Sequence, residues 1–435
     1  MSEKDIDPNK YSEFRSAYNY YIDSYNTLYR LKTENEEELN RIYKIIKTEL
    51  IDSNKHSPQR ILQNILDIIP YNSRYTKSYL KLAERLYDEY HITEVNDIKD
   101  ISNHNFYKEY EIQLNKYSDF DKFVSENTIY GAIMFNDIEK FIPFTEREGF
   151  NKNQELKSKL YPDSDKGYSL LELCCYHGSV DCFKLLRTKF NSEITQTCLN
   201  LSFLGGNPEI MSECLKYQKP RDECMKYAII SHNIDFVTFL MYEYNIKIDV
   251  EYCGLYKNLE SFLVYFDKTN DINKCFIYSA MFDVTSLCEY FLSRGANMNF
   301  KNEDRKTVLH YAAQFCRKEI MELFIPHGAY INEKDKYGKT ALYYALRSSN
   351  KEIVAFLLSY GATIFPKRRN GKKALHLAVK YSSKEIVELF LHFGANISEE
   401  DLFKKPLSIM QQYIIEKKQP NFLFHMVQIS MKNLT

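Results

Sequence analysis

The sequence predicts an all-α solenoid, in which short pairs of helices stack one after another along the chain. The main observation is a repeated step of 33 residues. Three series of residues keep this step: Gly295, Gly328, Gly361 and Gly394; Leu309, Leu342 and Leu375; and Glu319-Ile320, Glu352-Ile353 and Glu385-Ile386. A period of this length indicates stacked supersecondary units, each of which buries its apolar face against its neighbours.

The order of residue types within one period predicts a turn, a helix, a short turn and a second helix. The unit begins with a polar turn at Asn302. Thr307 follows where a hydroxyl can cap the first helix, and Leu309 starts its apolar face. Glu319 opens the second helix, where the helix dipole favours negative charge. Gly328 ends that helix, because a left-handed residue is needed at the stop.

These units closely resemble the ankyrin repeat, over residues 295–397 most strongly and over 127–415 more weakly. Its Thr-Pro-Leu-His motif appears here as Thr307-Val-Leu-His310, Thr340-Ala-Leu-Tyr343 and Lys373-Ala-Leu-His376. The resemblance implies helix-turn-helix pairs joined by short β-hairpin fingers, and it implies binding to other proteins. No proline occupies the second motif position, and two units lose the threonine or the histidine, which predicts modest stability for each repeat.

Shorter repeats precede the regular ones. By our alignment, the residues that open successive second helices are Asp181, Glu209, Asp235, Glu260 and Ser286, at steps of 28, 26, 25 and 26 residues. The missing residues fall between units, so we expect trimmed fingers and intact helix pairs. A weaker unit begins at Ile129. These short repeats, together with the stretch 29–43, resemble the divergent ankyrin arrays with a helical N-terminal leader that are expanded in trichomonad protists.

The stretch before the repeats predicts a helical leader that caps the solenoid. We expect one helix over 11–31, a second opened by a capping box at Thr33–Glu36, a third opened by Ser57-Pro58 and a fourth over 74–90. Residues 145–166 are predicted to form an exposed polar loop. The predicted regions are a leader and cap (1–126), divergent short repeats (127–294), regular 33-residue repeats (295–400) and a degenerate C-terminal cap (401–435).

Composition argues against several classes of function. The formal net charge is −1, which provides no electrostatic footprint for nucleic acid. The ten cysteines form no CxxC pair and match no zinc module. No stretch of about 18 apolar residues predicts a membrane span, and no signal peptide opens the chain. We therefore expect a monomer in the cytoplasm, with the nucleus as the alternative, and no cofactor, metal, small-molecule substrate or nucleic acid.

The residues that could carry chemistry have structural interpretations. His310 and His376 belong to the repeat motif, where a neutral imidazole can hydrogen-bond between adjacent units. Cys174 and Cys175 stand where the family has two alanines, and we expect them in the core. The sequence offers no recognisable nucleophile and base, no Gly-rich phosphate loop and no metal spacing. We therefore predict that the protein is not an enzyme.

The resemblance implies that partners contact the finger tips and the exposed ends of the first helices. Carried onto this sequence, the predicted partner-binding residues are Phe300, Asp304, Arg305, Phe315, Lys336, Tyr337, Arg347, Phe365, Arg368, Arg369 and Tyr381. Exposed aromatic and arginine side chains are the usual anchors of protein interfaces.

The sequence leaves two functional questions open. The run Lys367–Lys373 has five basic residues in seven, and a solvated finger tip, contact with an acidic partner and nuclear import all explain it. The predicted function is a non-catalytic scaffold that binds a protein through the concave ankyrin face. The alternative is a substrate adaptor of a ubiquitin ligase, for which the tail after Asp401 would bind a ligase subunit.

Overall fold

A computed structural model describes the chain over residues 10–53, 56–92, 128–158, 160–163, 167–315, 318–348, 350–364 and 384–393. The chain divides into two compact units, which are described separately below. The N-terminal unit ends at Thr269 and the C-terminal unit begins at Asn270. Both units consist of helices, and the described part of the chain contains one two-stranded sheet.

The leader forms the first part of the N-terminal unit. Its helices are α1 (Lys10–Ala17), α2 (Asn19–Tyr29), α3 (Glu36–Ile45), α4 (Pro58–Ile68) and α5 (Thr76–Glu89), with a π-helical turn at Ile46–Asp52. The predicted helix over 11–31 is interrupted at Tyr18, between α1 and α2. Pro58 stands at the start of α4, as its sequence context predicts.

The predicted capping box at Thr33–Glu36 is wrong by two residues. Asn35 caps α3 instead, and its side-chain oxygen accepts hydrogen bonds from the backbone N–H groups of Glu37 (2.9 Å) and Glu38 (3.1 Å). The Thr33 hydroxyl accepts from the N–H of Asn35 at 3.0 Å. Asparagine caps a helix at least as well as threonine, so the nearer residue takes the position.

The rest of both units consists mainly of helix pairs, which in the N-terminal unit follow the leader. In the N-terminal unit they are α6 (Ile129–Met134) with α7 (Ile138–Thr145), α8 (Leu170–His177) with α9 (Val180–Thr188), α10 (Gln196–Gly205) with α11 (Pro208–Tyr217), α12 (Asp222–Ile230) with α13 (Ile234–Glu243), and α14 (Val250–Leu255) with α15 (Leu259–Thr269). In the C-terminal unit they are α16 (Ile272–Ser279) with α17 (Thr285–Ser293), α18 (Val308–Phe315) with α19 (Lys318–Phe324), and α20 (Ala341–Arg347) with α21 (Lys351–Ser359), and α22 (Lys384–His392) follows.

The alignment of the short repeats is confirmed by these helix bounds. Each of its five aligned residues, Asp181 to Ser286, is the second residue of a second helix. The trimming of the fingers is confirmed as well. Residues 218–221 and 244–249 join consecutive pairs in the N-terminal unit, whereas the longer stretches 294–307 and 325–340 join those of the C-terminal unit.

The first helices of the N-terminal unit stack closely on one another. Cys174 and Cys175 lie fully buried in α8, as predicted, and burial raises the pKa of both thiols well above its ordinary value. Gly205, at the end of α10, lies so close that a Cβ atom there would stand 2.1 Å from the carbonyl oxygen of Cys175. This approach excludes any larger residue at position 205 while the two backbones keep their present separation.

The predicted exposed loop at 145–166 is wrong for part of its length. Tyr161 is only 2% exposed, and its hydroxyl lies 3.0 Å from Nε2 of His177. The strands β1 (Glu155–Leu156) and β2 (Tyr168–Ser169) pair antiparallel on either side of it. Despite the polar composition of this stretch, the buried Tyr161 ring contacts Tyr176 and His177 and holds the loop against α8.

The leader packs across the second helix α15. The Glu260 carboxylate accepts hydrogen bonds from Arg15 Nε at 2.8 Å, from Asn26 Nδ2 at 3.3 Å and from the Tyr11 hydroxyl at 3.4 Å. Burial, and then the charge of Glu260, raise the pKa of Tyr11 to about 12. Phe14 adds an edge-to-face contact with Phe266, with 6.0 Å between the ring centroids.

The leader also crosses the ends of several first helices. The Tyr29 ring stacks on His232, just after α12, with 4.0 Å between centroids. Arg30 donates a hydrogen bond to the His232 carbonyl oxygen. Just after α14, the Tyr256 hydroxyl lies 3.1 Å from that of Tyr71. Near the end of α8, the Tyr176 hydroxyl donates to the Pro70 carbonyl and accepts from the Ser73 N–H, both at 2.9 Å.

Histidine in the repeat motif connects adjacent repeats of the C-terminal unit. The Thr307 N–H donates to Nδ1 of His310 at 3.0 Å, so the proton of the neutral ring is on Nε2. Nε2 then donates to the Lys339 carbonyl oxygen of the next repeat at 3.2 Å. Burial lowers the pKa of His310 below its ordinary value. The predicted structural role of His310 is therefore confirmed, while His376 lies outside the described residues.

We predict that Glu260→Ala loosens the leader. The loss of three hydrogen bonds to one carboxylate should lower the free energy of unfolding by about 1–3 kcal/mol in urea titrations. Amide hydrogen exchange in α1 and α2 should accelerate. Glu209→Ala is the matched control, because Glu209 occupies the same helix position but is exposed and pairs only with Lys184; its effect should stay within about 0.5 kcal/mol. Equal effects of the two variants would contradict the assigned contact.

We also predict that acid weakens the contact made by His310. The folded state lowers the pKa of this imidazole, so its stabilising contribution is complete above about pH 6.5 and is lost as the pH falls below that value. The free energy of unfolding of the full chain would be measured in urea at about pH 7.5 and at about pH 5.5. Between these two values it should fall less in His310→Gln than in the wild type. Other histidines cancel in this comparison. An identical loss in both proteins would refute the role.

Candidate protein-interaction surface

Each finger of the regular repeats is a turn closed by its own polar side chain. Asn302 Oδ1 accepts from the backbone N–H groups of Asp304 (3.1 Å) and Lys306 (2.9 Å). One repeat later, Asp335 Oδ1 accepts from the N–H groups of Tyr337 (2.8 Å) and Lys339 (2.7 Å). These are turns of the Asx type, and no strand forms in the described residues of the range 295–340. The predicted hairpin fingers are thus present as hydrogen-bonded turns.

The same two polar side chains attach the fingers to the helices behind them. Asn302 Nδ2 donates to the hydroxyls of Tyr278 (3.0 Å) and Tyr311 (3.1 Å). In the next repeat the Tyr344 hydroxyl donates to Asp335 Oδ2 at 2.7 Å. Burial, and then the Asp335 carboxylate, raise the pKa of Tyr344 well above its ordinary value, so this hydroxyl remains a donor. The fingers therefore have a fixed position on their own helices.

Adjacent fingers are also joined to each other. The Lys336 N–H donates to the Asp304 carbonyl oxygen at 2.8 Å, and the two side chains form an ion pair. Lys301 Nζ lies 2.9 Å from a Glu333 carboxylate oxygen. Exposed ion pairs stabilise little, but the backbone hydrogen bond fixes the register of the two turns. The two fingers thus form one preorganised surface.

The most exposed aromatic group of this surface is Tyr337, at the tip of the second finger. Its side chain is 57% exposed. Lys336 Nζ and Lys339 Nζ lie 5.0 Å and 5.4 Å from the centre of its ring. Arg305 is also exposed, in the turn of the first finger. A tyrosine flanked by cations presents an apolar face and hydrogen-bonding groups together, which suits a protein interface.

Two lysines occupy equivalent positions in successive 33-residue repeats. Lys306 Nζ lies 5.1 Å from the ring centre of Tyr311, and Lys339 Nζ lies 4.9 Å from that of Tyr343. Both lysines are half-buried, and neither forms an ion pair with a residue in the described part of the chain. The sequence analysis missed both, although each directly precedes the threonine of its repeat motif. They give the surface positive charge that has no ion-pair partner among the described residues.

The structure divides the predicted partner-binding residues into three groups. Arg305, Lys336 and Tyr337 are exposed, while Phe300, Asp304 and Arg347 are half-buried. Phe315 is a correction, because its side chain is only 7% exposed. It belongs to α18, in which seven of the eight residues are buried, so its ring faces the interior. The predicted residues outside the described part of the chain are Phe365, Arg368, Arg369 and Tyr381.

Other predictions also fall outside the described residues. These are the basic run at 367–373, the last glycine of the period, Gly394, and the predicted C-terminal cap at 401–435. No helix in the described ranges is long and apolar enough to cross a membrane. Within those ranges, no group of three or more His, Cys, Asp or Glu side chains is arranged to hold a metal ion.

Comparison with known families identifies part of the chain. Residues 190–265 match a family described as a domain of unknown function (DUF3447). Residues 276–368 match the family of ankyrin repeats, as three copies, and residues 370–402 match the single ankyrin repeat. No curated protein gives a significant match. The relation to trichomonad arrays and the ankyrin-like nature of the short repeats therefore stay predictions.

The family matches agree with the helix pairs, the closed fingers and the histidine that links adjacent repeats. Ankyrin repeats support a general role in protein–protein interaction. The chain therefore contains ankyrin repeats, matched over residues 276–368 and 370–402.

Proposed function

We propose that the regular repeats bind a protein partner without catalysing a reaction, through the finger tips and the adjoining ends of the first helices. The observation that carries this proposal is Tyr337, an exposed ring between two lysines on a finger that is hydrogen-bonded to its own helix and to its neighbour. A preorganised surface loses little conformational entropy when a partner binds, which favours affinity.

The leader supports the choice of this surface over the corresponding one in the short repeats. Tyr176, His232 and Tyr256 lie at or just beyond the ends of first helices, and each contacts the leader. Arg347 holds the corresponding place in a regular repeat. A partner at those helix ends of the N-terminal unit would have to displace the leader. The regular repeats, with their longer fingers, are the more accessible binding surface.

The lysines without an ion-pair partner indicate the chemistry of the partner. Lys306 and Lys339 occupy the same position in successive 33-residue repeats, and neither forms an ion pair among the described residues. A partner that places an acidic side chain near each of these lysines would be attracted to them. Charge complementarity of this kind speeds association and selects the partner more than it adds affinity. We therefore favour a partner with an acidic segment. We propose that the protein acts as a monomeric scaffold in the cytoplasm or the nucleus.

The tail on which the ubiquitin-ligase alternative depends lies after Asp401, outside the described residues. The contacts that support partner binding are those of the finger residues around Tyr337. The decisive experiment is therefore a single finger substitution that leaves the fold intact.

We predict that Tyr337→Ala abolishes most partner capture. The tagged full chain and its variant, each checked for helix content by circular dichroism, would be used for affinity purification from the native cell with quantitative mass spectrometry. Removal of an interface anchor costs about 2 kcal/mol or more, so recovery of the partner should fall by about tenfold or more.

Tyr330→Ala is the matched control, since Tyr330 is 63% exposed in the same repeat array but lies outside the finger turn. It should leave recovery of the partner unchanged. The charge reversal Lys306→Glu with Lys339→Glu should also reduce recovery if the partner is acidic. If no protein depends on Tyr337 more than on Tyr330, the finger surface is not the binding site.

A further inference from the structure

The N-terminal unit contains a cavity of about 320 Å³ where the leader crosses the ends of the first helices. The leader contributes residues near the end of α2 and residues between α4 and α5. The repeats contribute the ends of α8, α10 and α12. Three consecutive helix pairs and the leader thus form one concave site, in the lower part of the size range of small-molecule pockets.

Positive charge gathers around this cavity. Arg30, Lys32 and Arg74 line it, and no Asp or Glu does. None of these three cations forms an ion pair with a residue in the described part of the chain. The carboxylates that act on a lining tyrosine, Tyr71, are those of Asp67 and Asp163, which lie outside the lining. Like charges around one cavity repel each other, and an anion bound between them would offset that repulsion.

The rest of the lining is neutral, and part of it is aromatic. Tyr29 and Tyr75 provide partly exposed ring surfaces. His177 adds no charge at neutral pH, because burial, and then the charge of Arg74, lower its pKa to about 3. A cavity with cations and ring surfaces, and with no carboxylate in its lining, suits a small molecule that combines an anionic group with a planar body.

We propose that this cavity binds a small organic phosphate, with its phosphate near Arg30, Lys32 and Arg74 and its planar part against the aromatic lining. Phosphate oxygens would accept charge-assisted hydrogen bonds from the guanidinium and ammonium groups. Because the leader and the repeats both line the cavity, the ligand would hold the leader against the helix ends. This binding site is separate from the finger surface and does not depend on the function proposed for it.

The test uses the full-length protein and three probes: adenosine monophosphate, adenosine and inorganic phosphate. Isothermal titration calorimetry measures Kd, and thermal unfolding measures the stabilisation that follows from binding to the folded state. We expect saturable binding of adenosine monophosphate, with a rise in the unfolding temperature. Adenosine and inorganic phosphate should each bind at least about tenfold more weakly, because each lacks one half of the recognised chemistry.

Two variants locate the site. Lys32→Glu changes an exposed side chain, and Arg74→Ala removes a cation that also lies 5.6 Å from the ring centre of Phe135. Loss of one charge-assisted hydrogen bond should weaken binding by at least about tenfold in either variant. Lys44→Glu reverses an exposed charge on the same leader outside the cavity, and it should bind like the wild type.

Several results would overturn the proposal. One is the absence of saturable binding of adenosine monophosphate up to low millimolar concentration. A second is equal affinity for inorganic phosphate, which would indicate a simple anion site. A third is wild-type affinity in both cavity variants while they retain wild-type circular dichroism, which would place any binding elsewhere on the protein.

Discussion

The structure depends on a constraint that acts on every repeat: a pair of helices this short cannot bury its apolar side chains by itself. Each pair must pack against its neighbours, and the closeness of that packing is visible where Gly205 meets the Cys175 carbonyl. The buried cysteines of α8 fill the small spaces that alanines fill in other repeats. Within each unit the core is therefore built from contacts between adjacent pairs.

A stack of this kind exposes one edge of its first helices, and the two units deal with that edge differently. In the N-terminal unit the leader covers it, through Tyr29 on His232 and Tyr71 at Tyr256. The connections between these pairs are short, which leaves room for the leader. In the C-terminal unit longer connections form fingers, which Asn302 and Asp335 close and join to the helices. The first arrangement makes a contact within the unit, and the second forms the finger surface that we propose binds a partner.

Charge distribution separates the two proposed binding surfaces from the rest of the molecule. The chain is close to neutral overall, yet the lysines at 306 and 339 and the three cations of the cavity have no carboxylate partner among the described residues. Elsewhere charged groups are commonly paired, as Arg15 is with Glu260. Cations that lie near aromatic rings, without a carboxylate partner among the described residues, are common to the finger surface and the cavity, and both proposals rest on them.

The sequence by itself determined the helix pairs and their register, because the 33-residue period, the caps and the glycine stops are local features that each repeat carries. It also predicted the structural role of His310. Only the tertiary structure decided that Phe315 is buried, that Tyr161 anchors a polar loop and that the leader covers the helix ends of the short repeats. These outcomes depend on contacts between residues far apart in the chain. Neither the spacing of residues along the sequence nor the composition predicts which side chains are in contact.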